Sequence, residues 1–242
     1  MRNIKLVLEY DGTEFSGWQL QPKCRTVQGE TERALRQLTQ EPIRVVAAGR
    51  TDTGVHACGQ VVNFTANSIH SMQVFLEGGN ALLPRDIRIL QAEEVPQSFH
   101  ARFDAKMRHY QYVISKKPLA IGRQYAWHVW QELDIDKMNE AAQYIQGEKD
   151  FKVFCQAGTV LDHYRCNVIR AEFAESSDTI KFTMAANRFL HNMVRIITGT
   201  FIQLGKQKMS IAEFQEILKT NDRRKAGPTA PPHGLFLVKV DY

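Results

Sequence analysis

The sequence predicts an α+β protein made of two split β-α-β (ferredoxin-like) lobes with antiparallel sheets. Two observations carry that expectation. Residues 4–95 read as β-α-β-β-α-β, and residues 109–240 repeat the same order of elements without repeating the sequence. A third sets the scale: 242 residues at 43% hydrophobic and 24% charged can fill one large core or two small ones. The lobes are assigned to residues 1–105 and 106–242, with no Pro/Gly/Ser-rich linker between them.

Taken in order, Ile4–Tyr10 alternates as a strand and stops at the turn signal Asp11-Gly12. A glycine-punctuated loop carrying Phe15 and Trp18 follows. Thr26-Val27-Gln28 opens a helix to about Gln40, with Val27, Ala34, Leu35 and Leu38 on one face. After Pro42, a strand is expected from Ile43, another over Gly59–Ala66, a helix over Met72–Leu83 ending before Pro84, and a strand over Ile87–Val95. The second half gives a strand at His109–Ser115 and an amphipathic helix at Ile135–Ile145. Strands follow at Val168–Ala174 and Thr179–Ala185, then an apolar helix at Arg188–Leu204 and a closing strand at Leu235–Val240. Gly147–Cys155 reads as a helix end followed by an ordered loop. Gly227–Gly234 holds three of the eight prolines and reads as irregular.

The net charge of +5 and pI near 9.0 are compatible with a polyanionic partner and do not require one. Cys24, Cys58, Cys155 and Cys166 are scattered without a C-x-x-C pair, which argues against a zinc site and a disulfide framework and for a reducing compartment. The chain enters a strand at once, has no signal-peptide core and no run of eighteen apolar residues. A cytoplasmic, non-membrane protein is expected.

The densest polar stretch is Ala48 to Gly59, A-G-R-T-D-T-G-V-H-A-C-G. Read from its residues alone, Asp52 and Thr51 cap a turn while Arg50 neutralises the charge. The same residues also suit a site, since strand-held loops are where chemistry is placed. Tyr110 in R-H-Y-Q-Y shares a strand face with Tyr112, so packing into a core and stacking on a base are both open. On the apolar helix, Arg188, His191, Asn192 and Arg195 share one stripe, and a cation on a mostly buried helix needs a partner. Leu235 reads as a core residue. His56 reads as a structural histidine or a proton relay, and His163 lies too loosely spaced from Cys155 and Cys166 to suggest a metal.

The string A-G-R-T-D-x-G-V-H-A resembles the signature of the tRNA pseudouridine synthase A family, matched without a gap and with Thr53 at the variable position. The resemblance extends to Tyr10–Gln19 (Y-D-G-x-x-F-x-G-W-Q), Phe99–Phe103 (F-H-A-R-F), Arg108–Tyr112, His191–Arg195 (H-x-M-V-R) and Leu235–Leu237. It implies the pseudouridine synthase fold, with two lobes flanking a central RNA-binding cleft. It also implies isomerisation of uridine to pseudouridine at positions 38, 39 and 40 of the tRNA anticodon stem-loop by a cytoplasmic homodimer.

On that resemblance Asp52 is the catalytic carboxylate, acting at C6 or C1′ of the nucleotide or as a base. Arg50, Tyr110, Arg195 and Leu235 are substrate-binding residues, with Arg50 serving base extrusion, Arg195 meeting the aspartate and Leu235 lying against the target base. No metal and no small-molecule cofactor is expected, because a carboxylate suffices for this chemistry. Arg102, Lys106, Arg108, Lys116, Lys117, Arg165, Arg170 and Arg188 are candidate phosphate contacts or an ordinary solvated face. Two alternatives stand beside this: a synthase with a different RNA target, and a non-catalytic tRNA-binding chaperone of the same fold.

Overall fold

The computed structural model describes residues 1–242, which divide into two units: residues 1–106 with 236–242, and residues 107–235. The first unit begins with β1 (Arg2–Tyr10), α1 (Val27–Thr39), β2 (Val46–Ala47), β3 (His56–Ala66), α2 (Met72–Leu82) and β4 (Ile87–Val95). β1 pairs antiparallel with β3 and β4, and β2 pairs antiparallel with β3, giving the split β-α-β order. Ile4, Leu6 and Leu8 alternate onto one face of β1 and are fully buried, as the period of two requires. α1 starts at Thr26, whose hydroxyl accepts from the Gly29 amide at 3.2 Å.

The strand expected from Ile43 is only two residues long. The Val45 amide donates to the buried Glu32 carboxylate at 3.1 Å, which draws the chain towards α1 instead of a ladder. α2 ends one residue before the sequence expectation. Leu83 is extended, as steric conflict with Pro84 demands.

The second unit holds β5 (Met107–Ser115), β6 (Trp127–His128), α3 (Ile135–Gln143), β7 (Gly147–Asp150), β8 (Arg165–Glu175), β9 (Thr179–Ala186), α4 (Met193–Gly205) and α5 (Ile211–Leu218). β7, β8, β9 and β5 form an antiparallel sheet in that order, and β6 lies parallel to β5. A phenylalanine cluster fills the core of this unit. Phe173 stacks on Phe182 at 4.5 Å between centroids, and Phe201 meets both edge-on at 5.4 and 5.5 Å.

The apolar helix starts later than its hydrophobic run suggests. Asn192 adopts a left-handed conformation (φ 61°), and the His191 carbonyl accepts from the Gln156 amide rather than from a helical turn. Arg188 and His191 therefore lie outside α4, and the four-residue polar stripe reduces to its C-terminal end. The closing strand, β10 (Leu235–Asp241), pairs in parallel with β3, Phe236 opposite His56 and Leu237 opposite Ala57.

Candidate active site

In the first unit Asp52 sits on the loop between β2 and β3, and its neighbours are fixed from several sides. The Ala48 amide donates to the Val61 carbonyl at 2.8 Å, and the Gln60 side-chain amide donates to the Gly49 carbonyl at 2.8 Å. Thr51 is buried, its hydroxyl 2.7 Å from the Tyr10 phenol, and its carbonyl accepts from the Trp18 amide at 3.0 Å. The Val55 amide closes the turn on the Asp52 carbonyl at 3.1 Å. The Asp52 side chain is half-exposed, whereas Arg50 reaches solvent.

Two glycines bring the Tyr10–Gln19 segment onto this loop. A Cβ on Gly12 would lie 2.0 Å from the Val55 carbonyl oxygen, and one on Gly17 (φ 84°) would lie 2.8 Å from that of Thr51. Burial pushes the Tyr10 phenol up to about 12, with the bonds to Thr51 and Gln60 opposing, so it stays neutral. His56 is buried and its ring stacks on Phe236 at 4.7 Å. Its Nδ1 accepts from the Gly12 amide at 3.0 Å and lies 3.1 Å from the Asp11 carboxylate. The two contacts ask for opposite things of Nδ1: a lone pair towards the amide, which can only donate, and a proton towards the carboxylate, which can only accept.

In the second unit the two tyrosines of β5 are both buried but differ in what they touch. Tyr112 donates to the Pro231 carbonyl at 2.7 Å, and Gly234 packs so closely on its ring that a Cβ would lie 2.7 Å away. Burial raises its pKa strongly, against the lowering field of Arg195. Tyr110 instead meets Phe189 edge-on at 5.0 Å. Arg195 lies in the first turn of α4. Its Nε donates to the Ala230 carbonyl and its Nη1 to Asn192 Oδ1, both at 2.8 Å, while its own carbonyl accepts from the Ala230 amide at 3.0 Å. Leu235 is buried where a single 3-10 turn, Pro232–Gly234, delivers the proline loop into β10.

The sequence model of a family described as tRNA pseudouridine synthase matches residues 6–104 and 141–242. The chain belongs to the tRNA pseudouridine synthase family. It is similar along its whole length to proteins named tRNA pseudouridine synthase A. That of Brevibacillus brevis is 46% identical over 100% of both chains. That of a Geobacillus species is 44% identical over 100% of this chain and 98% of its own. The Moorella thermoacetica protein is 43% identical over 99% of each. Arg50, Asp52, Arg195 and Leu235 fall within the matched segments of this family, and Tyr110 falls between them.

Other members of the family strings behave differently. In F-H-A-R-F, Ala101 is buried, and its amide donates to Asn63 Oδ1 at 2.9 Å. Phe103 is 75% exposed, with the Arg102 guanidinium 5.6 Å from its ring. Several of the candidate phosphate contacts have carboxylate partners: Lys116 with Glu175 at 2.7 Å, Lys117 with Asp178 at 2.8 Å, and Arg170 with Glu172. Of the four free thiols, Cys155 and Cys166 are buried, and Cys24 and Cys58 are exposed. No group of three or more His, Cys, Asp or Glu side chains is arranged to hold a metal ion, and no helix is long and apolar enough to cross a membrane.

The sequence quoted Tyr10, Gly12 and Gly17 as parts of a string without showing their work. Their common role is to seat the Asp52 loop, and the only trace of it in the sequence is two glycines beside aromatics. Asn192 left no usable signal, because an asparagine inside an apolar run reads equally well as a helical residue.

Proposed function

We propose that this protein isomerises uridine to pseudouridine at positions 38, 39 and 40 of the tRNA anticodon stem-loop, with Asp52 as the catalytic carboxylate. The observation that carries the reading is the seating of Asp52: a half-exposed carboxylate on a loop whose flanking backbone is held by β3, Tyr10 and the Gly12–Trp18 segment. A carboxylate so held keeps its position through a reaction in which the base leaves and returns. In that reaction the C1′–N1 bond breaks and a C1′–C5 bond forms. N1 gains a proton and C5 loses one to solvent, so the product is an isomer and no redox partner or metal enters the balance.

Arg50, Tyr110, Arg195 and Leu235 bind the target nucleotide. Arg50 reaches solvent and suits a phosphate, or the space that a flipped base vacates. Tyr110 offers an aromatic face, and Arg195 a guanidinium oriented by Ala230 and Asn192. Leu235, packed at the start of β10, supplies the aliphatic side chain that lies against the target base. The enzyme works as a homodimer in the cytoplasm.

Incubating unmodified total tRNA with the protein and mapping pseudouridine nucleotide by nucleotide tests the assignment. Modification confined to uridines 38, 39 and 40 is the expected result. Modification elsewhere would make this a synthase with another target, and none at all on tRNA that the protein binds would favour the chaperone. Sedimentation of the pure protein at micromolar concentration tests the dimer, and a monomer there would overturn it.

A further inference from the structure

A pocket of about 280 Å³ in the second unit brings together Glu148, His163, Arg165, Cys166, Asn187 and Arg188. Its walls are tied at the backbone. The Asn167 amide donates to Asn187 Oδ1 at 2.8 Å, and the Asn187 amide donates back to the Asn167 carbonyl at 3.2 Å. Arg108 donates to the Asn187 carbonyl at 2.7 Å, which fixes the end of β9 from which Arg188 projects.

The two arginines of this pocket are differently partnered. Arg165 lies 3.6 Å from Glu148, a loose pair between exposed side chains. Arg188 instead donates from Nη1 to His163 Nε2 at 3.1 Å. A guanidinium can only donate, so Nε2 is the acceptor in this contact. The partner of Arg188 is thus an imidazole nitrogen, whereas Lys116, Lys117 and Arg170 each face a carboxylate. The pocket thiol supplies no anion. Burial pushes Cys166 up to about 12, although Arg188 pulls it down. The lining side chains thus carry two guanidinium groups and one carboxylate, and the Asp150 carboxylate acts on the thiol from just outside the lining.

We propose that this pocket holds a backbone phosphate of the bound tRNA, gripped by Arg188 and Arg165, with His163 positioning the Arg188 guanidinium. The inference rests on the tRNA synthase reading and adds to it an anchoring site apart from the residues assigned to the target nucleotide. A phosphate accepts bidentate bonds from an arginine fork, and such contacts position an RNA without reading its sequence.

The test is filter binding of full-length tRNA over a series of salt concentrations, with Arg188→Ala, Arg188→Lys, His163→Gln and His163→Ala variants checked for unchanged thermal melting. Arg188→Ala should weaken binding about ten-fold and lower the slope of log Kd against log salt by about 1. KM should rise by the same factor while kcat at saturating tRNA stays unchanged. Arg188→Lys should recover the slope and part of the affinity. His163→Gln, which keeps an acceptor, should bind like the unaltered protein, and His163→Ala should lose part of the affinity.

An unchanged salt slope in folded Arg188→Ala overturns the proposal. So does inorganic phosphate binding at this pocket without competition against tRNA, which would make it a free-anion site only. Failure of the unaltered protein to bind tRNA at all would sink the synthase reading together with this site. Normal tRNA binding and turnover with an indifferent Arg188 would sink this site alone.

Discussion

The Asp52 loop and the Arg195 region each hold one polar side chain in place, and they do so by different means. Around Asp52 the work is done by backbone: carbonyls of Gly49, Thr51 and Asp52 each accept a bond, and Gly12 and Gly17 let a second segment approach where no Cβ fits. Around Arg195 the side chain is itself the brace, bonding Ala230 and Asn192 while Asn192 takes a left-handed backbone. A backbone-built seat tolerates almost no change in the residues that form it. A side-chain brace loses its own bonds when altered and leaves the frame standing.

The largest expected effect follows at Gly12. Gly12→Ala forces a Cβ to within 2.0 Å of the Val55 carbonyl oxygen, so the loop must move. Overpacking of this kind costs about 3 kcal/mol, and urea unfolding should show an unfolding free energy lower by that amount, together with loss of activity. A variant as stable as the original would show that the two segments are not bound by close approach.

Arg195→Lys should cost less. It keeps the charge but loses the fork that spans Ala230 and Asn192, for about 2 kcal/mol by the same unfolding assay. Retention of full stability would mean that those two bonds do not brace α4.

Tyr10→Phe gives the smallest and most specific change. It leaves the buried Thr51 hydroxyl without its 2.7 Å partner, at about 1 kcal/mol near neutral pH. The pH dependence has a definite sign. The folded state raises the phenol from its ordinary 10 to about 12, so its stabilising effect is complete below pH 10 and is lost as pH rises to 12. Stability should fall across that window, Tyr112 adding to the loss because burial raises it too. In Tyr10→Phe the fall should be shallower, and an identical fall would remove Tyr10 as a cause.

The same contrast explains what the sequence made legible. β1, α1, α2 and β4 follow directly from alternation, a capping threonine and a proline stop, because local chemistry decides them. The Asp52 loop was legible as a string, and Ala48, Gly49, Thr51, Asp52 and Val55 within it are each held through the backbone. The start of α4 was not, since the apolar run continues through Phe189 and Leu190 while Asn192 and the Gln156 amide end the helix from outside it. β7 is four exposed residues, Gly-Glu-Lys-Asp, held only by pairing with β8, so it has no hydrophobic alternation to read. α5 did carry a signal: Ser210 and Glu213 form a capping box ahead of the buried Phe214 and Ile217. The parallel pairing of β10 with β3 joins residues 180 positions apart, and no local pattern encodes it.

The central claim is that Asp52 is the catalytic carboxylate. It is tested most directly by tritium release from tRNA labelled at uridine C5, comparing the unaltered protein with Asp52→Asn under conditions where both bind tRNA. Release by the unaltered protein and none by the folded Asp52→Asn variant is the predicted result. Equal release by both would place the chemistry on another residue and contradict the account.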